Sequence, residues 1–340
     1  MTDTTNTDPT TIINRASDPY EMQAGAEAKL KAMTDPTAAS ADAVAPRIAQ
    51  ESKWTRVSRA FRTAPLTAWF GMITIAIYII VAVFANVLAP FGEREIVGAQ
   101  FEEPNAQYLL GTDNLGRDML SRLIYAARNT VGIALLTTIL SFVLGGFMGM
   151  LAATLGGWID QVQSRICDVL MSIPSLIFAL LALTVANTWI GRMDDAPAWL
   201  YTVALIVIMA VLDSTRVFRL TRAVAMNIVV MDYVEAARLR GEGLLYIIRK
   251  EILPNATAPL IAEFGLRFCF VFLLISALSF LGLGVQPPTA DWGSMVRDNA
   301  TLISFGVAVP LYPAGAIALL TVAVNFVVDW MLHRSSGLKD

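Results

Sequence analysis

An all-α integral membrane protein with six transmembrane helices is the fold class that this sequence predicts, and three observations predict it. The 340 residues are 56% hydrophobic and only 16% charged, with a mean hydropathy of +0.58, which is too apolar for an ordinary soluble domain. The apolar residues gather into runs that reach the roughly 20 residues needed to span hydrocarbon. Basic residues concentrate in alternate gaps between those runs, the charge asymmetry of cytoplasmic loops. Composition also excludes other classes. A formal charge of −3 suggests no nucleic-acid surface. Cys167 and Cys269 lie in apolar runs and His333 is the single histidine. Neither a Cys/His metal site nor a disulfide scaffold is therefore expected. The first fifty residues contain no apolar core, so no cleavable signal peptide is expected.

Residues 1–50 are rich in Thr, Ala, Asp and Pro, and acids (Asp3, Asp8, Asp18, Glu21, Glu27, Asp35, Asp42) outnumber bases (Arg15, Lys29, Lys31, Arg47). Such a segment has too little apolar surface to fold alone, and it is expected to be a disordered cytoplasmic tail. A regulatory or docking arm is the sharper alternative. Over 51–65, Lys53, Arg56, Arg59 and Arg62 interleave with Trp54, Val57 and Phe61, which predicts an amphipathic helix at the interface. The first span is expected over 66–91, with the N-terminus cytoplasmic. Residues 92–128 then lie outside, where Glu93, Glu95, Glu102 and Glu103 precede Gly111-Thr-Asp-Asn-Leu-Gly-Arg-Asp-Met-Leu-Ser-Arg122. By itself that is a turn with capping residues leading into an amphipathic helix.

The second span runs from Asn129 to Leu155, and Gly145, Gly146 and Gly149 give it small-xxx-small spacing for close helix packing. Gly156–Asp160 returns the chain on the cytoplasmic side. A third span follows over Ile166–Trp189, with Pro174 as a kink, and a fourth over Trp199–Leu212. Arg216, Arg219 and Arg222 again mark the cytoplasm.

Next comes Asp232-Tyr-Val-Glu-Ala-Ala-Arg-Leu-Arg-Gly241, a short charged stretch between apolar runs. Asp232 and Glu235 suit a capping box and the positive end of a helix dipole, and Arg238 and Arg240 suit its negative end. Gly241 supplies a left-handed stop, and Pro254 is expected to break the helical stretch that follows. Ala236 and Ala237 add a small, flat patch for close approach.

These residues resemble the EAA loop of importer permeases of the ATP-binding-cassette class: Glu235-Ala236-Ala237, Gly241 four residues beyond, then Leu253-Pro254. In that family the loop is a cytoplasmic coupling helix that docks into a groove of the ATPase subunit. The Gly111-Thr112-Asp113…Gly116-Arg117-Asp118 segment resembles the one before the second span in C-type permease subunits of dipeptide, oligopeptide and nickel importers. Leu278-Ser-Phe-Leu-Gly282-Leu-Gly284, Pro287-Pro288 and Trp292-Gly293 resemble a further block of the same subunits. One departure is Ile275, where many relatives carry a Glu, so an acidic contact on the pathway is missing here.

The resemblance covers about residues 60–335 and implies the type I importer permease fold, with the permease domain over 130–330 and the coupling loop over 219–255. It implies a heterodimeric permease: a homologous second permease subunit, two ATP-binding subunits and an external substrate-binding protein, in the inner membrane of a bacterium. Glu235, Ala236 and Ala237 would form the docking face, Gly241 the turn after it, and Leu253-Pro254 the return into the fifth span. The substrate would be a di- or oligopeptide; nickel chelates, glutathione-like peptides and other small solutes are the alternatives. ATP and Mg would be used by the partner subunits. The chain itself has no Gly-x-x-x-x-Gly-Lys-Ser/Thr phosphate loop, so it is expected to be no enzyme and to bind no cofactor.

The fifth span is expected over Pro259–Gly282. Glu263 and Arg267 stand four apart within it, in the favourable order for an ion pair. They either brace the span or line the path, and bracing predicts that a charge swap rescues both single mutants. The sixth span, Val309–Leu332, ends with Asp329, His333, Arg334 and Lys339 inside. An ion-coupled secondary transporter is a remote alternative, since the sequence lacks paired Gly/Pro-interrupted spans with acids at mid-membrane.

Overall fold

A computed structural model describes residues 64–335 of the chain. The expectations for the tail (1–50), for most of the interfacial helix (51–65) and for Lys339 lie outside the described residues. Every regular element in the described part is helical. Its only extended pairings are the isolated bridges Ile96–Arg117 and Thr112–Asp118.

Helix α1 spans Leu66–Val83, shorter than the expected 66–91. The chain breaks at Phe84, adds the single turn α2 (Ala85–Leu88) and leaves through Ala89 and Pro90. Gly71 lies so close to the Ala323 carbonyl of the last helix that a side chain would not fit. Helix α3 covers Met119–Leu155. At 37 residues it is about 56 Å long, far more than a bilayer core requires. It begins outside the expected span because Asp118 caps it, accepting from the Ser121 N–H at 2.7 Å.

The expected third span is not one kinked helix. Helices α4 (Gly157–Ser172) and α5 (Ser175–Ile190) meet at 92°. Pro174 forces the residue before it into extended backbone, and Ile173 sits at φ −92, ψ 131. Helix α6 (Trp199–Val229) is longer than the expected fourth span and packs along α3. Gly145 and Gly149 face the α6 backbone at Ser214–Phe218 and Phe218–Arg222, whereas Gly146 faces open space. The glycine spacing therefore serves packing within the bundle.

After α7 (Asp232–Leu239) the chain forms α8 (Leu244–Tyr246), a π-helical segment (Ile247–Ile252) and α9 (Leu253–Phe280) without interruption. Pro254 thus does not break this stretch. It stands just after the π segment, as the second residue of α9. Ile247 and Ile252, five residues apart, are both buried, which fits the wider π turn; Ile252, Ala256 and Leu260 then recur at the α-helical spacing of four. Helix α10 (Trp292–Asn299), a 3-10 turn (Ala300–Phe305) and α11 (Leu311–Ser335) complete the fold.

Four helices are long and apolar enough to cross a membrane (α1, α3, α8–α9 and α11), or five if the bent α4–α5 pair is one span. The six-span expectation is consistent with this count. The described interior has two main apolar clusters. One joins α3, α9, α10 and α11 through Met119, Phe272, Leu278 and Trp292. The other joins the ends of α3 and α6 to α7 and the π segment through Met150, Ile228, Val234, Ala237 and Ile252.

Candidate functional site

Helix α7 is held against the end of the bundle by two side chains. Val234 and Ala237, both 0% exposed, are three residues apart on one face and pack into the second cluster. At 100° per residue the neighbours of Ala237 must face elsewhere, and Glu235, Ala236 and Arg238 are exposed. This corrects the expectation that Glu235, Ala236 and Ala237 share a docking face: Ala237 anchors the helix, and only the other two look outward. The same stretch of chain also exposes apolar residues. Val230 is 78%, Leu239 83% and Leu245 68% exposed, with Met231, Tyr233 and Tyr246 beside them.

The expected capping box does not form. Met231 is the N-cap residue, so Asp232 is the first helical residue and Glu235 the fourth, one place too late for the reciprocal bond. Both carboxylates still lie in the first turn, where the helix dipole favours them. Of the two bases only Arg238 is in the last turn, and Arg240 is the C-cap. Gly241 has φ +82. Its N–H donates to the Arg238 carbonyl at 2.9 Å, and the Glu242 N–H donates to the Ala237 carbonyl at 3.2 Å, the paired bonds of a Schellman ending. Leu253 and the exposed Pro254 stand at the head of α9, beyond the π segment.

Deeper in the bundle Glu263 and Arg267 pair at 2.8 Å, and a third member joins them. Asp213 of α6 is 1% exposed; its Oδ1 lies 3.7 Å from Arg267 Nη1, and its Oδ2 accepts from Ser141 of α3 at 3.0 Å. Arg216 stacks over the Phe270 ring at 4.4 Å and donates to Ser175 Oγ at 3.0 Å. Four helices meet through these contacts. Nearer the end of the bundle, Asp160 of α4 accepts from Arg222 of α6, which holds its carboxyl below the ordinary carboxylate range.

The two Gly-containing segments, Gly111–Arg122 and Gly282–Gly293, form a brace. Gly111 and Gly116 (both φ +74) let the loop fold back on Glu102 and Gly98. The buried Thr112 donates to the Ala99 carbonyl at 2.6 Å and accepts from the Glu102 N–H at 2.8 Å. Asp113 receives Arg117 at 2.7 Å and Arg122 at 3.3 Å. In the second motif Gly282 (φ +90) ends α9, and Gly284 and Gly293 approach Ser279 and Ser276 too closely for a side chain. A cis peptide joins Pro287 to Pro288. Trp292, 1% exposed, donates to the Leu123 carbonyl at 3.1 Å and meets Tyr78 and Phe272 edge-on. Beside it Asp291 caps α10 and accepts from Thr130 at 2.8 Å, while burial pushes its carboxyl up. Glu93 ties the motifs together, accepting from the Ala290 N–H at 2.6 Å and from Asn129 at 3.0 Å. Ile275 is fully buried in the main cluster. Among the described residues no His, Cys, Asp and Glu cluster could hold a metal ion.

The di/tripeptide transport system permease protein DppC of Pseudomonas aeruginosa is 34% identical over 277 residues, covering 79% of this chain and 85% of that protein. The dipeptide transport system permease protein DppC of Escherichia coli K12 is 35% identical over 277 residues, with 79% and 86% covered. That of Haemophilus influenzae is 31% identical over 280 residues, with 80% and 88% covered. A family model described as a binding-protein-dependent transport system inner membrane component matches residues 141–336. That match runs from within α3 through α7 to the end of α11, so this multi-pass membrane chain, a transport subunit, belongs to the family of binding-protein-dependent transport system inner membrane components.

Proposed function

We propose that the chain forms half of the translocation path of an ATP-driven importer of short peptides, and that α7 receives the movement of an ATP-hydrolysing partner. The observation that carries this reading is the outward side of α7, where the apolar Val230, Met231, Tyr233, Leu239 and Leu245 are exposed together with Glu235, Ala236 and Arg238. An exposed apolar patch rimmed by charge at the end of a membrane bundle fits a protein partner better than water. The relatives' names supply the substrate class, di- and tripeptides. The family's dependence on a binding protein supplies an external donor. The remaining partners are a homologous second permease and two ATP-binding subunits, which use the ATP and Mg. Both termini are then cytoplasmic, on the side of Arg216, Arg219 and Arg222. Asp213 favours bracing over path-lining for Glu263 and Arg267, because it gives Arg267 an inward ionic partner on a second helix.

A mild-detergent purification of the tagged chain from its native membrane tests the assembly: a second permease and ATP-binding subunits should co-purify. Reconstituted with them, Gly241→Val and Glu235→Lys should lose peptide uptake while ATP hydrolysis and membrane insertion persist. Normal uptake in both variants would refute the role of α7.

A further inference from the structure

We propose that α4 is not the first arm of a membrane crossing but lies flat at the cytoplasmic face of the bilayer, with one stripe of side chains immersed in lipid. The choice of the cytoplasmic face rests on the orientation proposed above, and the rest requires only that the chain is a membrane protein; it adds a lipid-contact surface to it. The first observation is the set of contacts between α4–α5 and α6. Asp160 pairs with Arg222, Cys167 clusters with Phe218, Met171 meets Arg219 at 3.7 Å, and Ser175 meets Arg216 at 3.0 Å. From Asp160 to Met171 α4 advances about 16 Å, whereas their partners on α6, Arg222 and Arg219, are separated by about 4.5 Å. Helix α4 therefore runs steeply across α6 instead of alongside it, and α5 turns 92° away from it.

The second observation is a division of α4 into three sectors. Asp160, Ser164, Cys167 and Met171 face the bundle. Trp158 (72% exposed), Val162, Ile166 and Val169 (65%) form an apolar stripe at helical spacing. Gln161, Arg165, Asp168 and Ser172 form a polar stripe next to it, also exposed. A helix wholly within hydrocarbon would not present Gln161, Arg165 and Asp168 outward, and one wholly in water would not present Trp158 through Val169. A helix at the boundary requires both, side by side. Lipid is the fitting occupant because exposed apolar residues flank the stripe along the chain on both sides, Leu155 at the end of α3 and Ile173, Leu176 and Ile177 at the bend into α5. Arg165 and Asp168 cancel in charge, so the surface suits zwitterionic as well as anionic headgroups.

Single cysteines at positions 158, 162, 166 and 169 test this, with the buried Cys167 and Cys269 replaced by serine. Each variant is assembled with its partner subunits in phosphatidylcholine vesicles and carries a nitroxide. Saturation by oxygen and by a water-soluble nickel chelate gives its depth. All four labels should see oxygen in preference to the chelate and lie at one depth, to within about 5 Å, a single helical turn. Labels at 161, 165 and 168 should see the chelate. A depth changing steadily by about 16 Å from 158 to 169 would restore a transmembrane helix. Labels reached by neither reagent would place a protein partner on the stripe, and chelate at all positions would place it in water; each refutes the proposal. Trp158→Phe gives a second reading that does not depend on the cysteine variants. The fluorescence lost with this tryptophan should be quenched more by lipid brominated near the headgroup than near the chain end, and equal or absent quenching overturns the assignment.

Discussion

Replacing Arg267 by methionine keeps the aliphatic stem and removes the charge between Asp213 and Glu263. At the observed 3.7 Å, the attraction to Asp213 is about 4.5 kcal/mol at an effective dielectric of about 20. Glu263 is 21% exposed and regains water, but Asp213 is 1% exposed and keeps the Ser141 hydroxyl and the charge of Arg216 without a direct ion pair. Stranding one member of a buried pair costs about 3–5 kcal/mol. For a protein of this size, at about 2 °C per kcal/mol, the apparent Tm should fall by about 6–10 °C. Adding Asp213→Asn removes the stranded charge, so the double variant should recover at least half of that loss. The assay is thermal unfolding of the detergent-solubilised chain, run as a double-mutant cycle. A fall of less than about 2 °C for Arg267→Met, or no relief from Asp213→Asn, would refute Asp213 as the partner that makes Arg267 necessary.

The same geometry changes the outcome expected of a charge swap. Glu263→Arg with Arg267→Glu sets a carboxylate against Asp213, so the swap should fail to rescue uptake unless Asp213→Asn is added. Gly241 has open space around its Cα, so Gly241→Asn, which tolerates the left-handed region, should retain more uptake than Gly241→Val, which adds about 1–2 kcal/mol or more of backbone strain. Trp292→Ala should destabilise by about 3–5 kcal/mol, read as a lowered Tm, since a fully buried indole and its bond to Leu123 are lost together. Arg222 depresses the folded-state value of Asp160. Its stabilisation is therefore complete above the ordinary carboxylate value of about 3.9 and is lost only as pH falls through the lower folded value. The Tm difference between the wild type and Asp160→Asn should stay constant from neutral pH down to about 5 and vanish only below the ordinary range.

Run length made the first, second, fifth and sixth spans legible. Gly241 made the end of α7 legible because a left-handed stop is a local property. What depends on distant partners was not. Asp213 closes an apolar run in the sequence, and its arginine lies on another helix. Glu93 reads as one acid among several, yet its carboxylate serves the Ala290 N–H, 197 residues away. The errors at α7 were of register: a cap placed at Asp232 instead of Met231, and adjacent alanines given one face when a helix must separate them. At α4 the apolar run from Ile166 onward obscured a pattern that was present: Trp158, Val162, Ile166 and Val169 recur at helical spacing beside Gln161, Arg165 and Asp168.

The π-helical segment Ile247–Ile252 lies between α7 and the long helix α9. Such a segment holds one more residue in its turn than the α-helix on either side. Deleting a single residue there would let the stretch close into uninterrupted α-helix. The wide turn and an α-turn each make about one revolution, as the shared buried face of Ile247 and Ile252 shows, so the stretch before the segment would keep its facing about the axis of α9. Glu235 and Ala236 would still point away from the end of the bundle. The wide turn thus works as one residue of slack between the outward helix and the membrane helix, and a chain one residue shorter could insert, pack and face the same way.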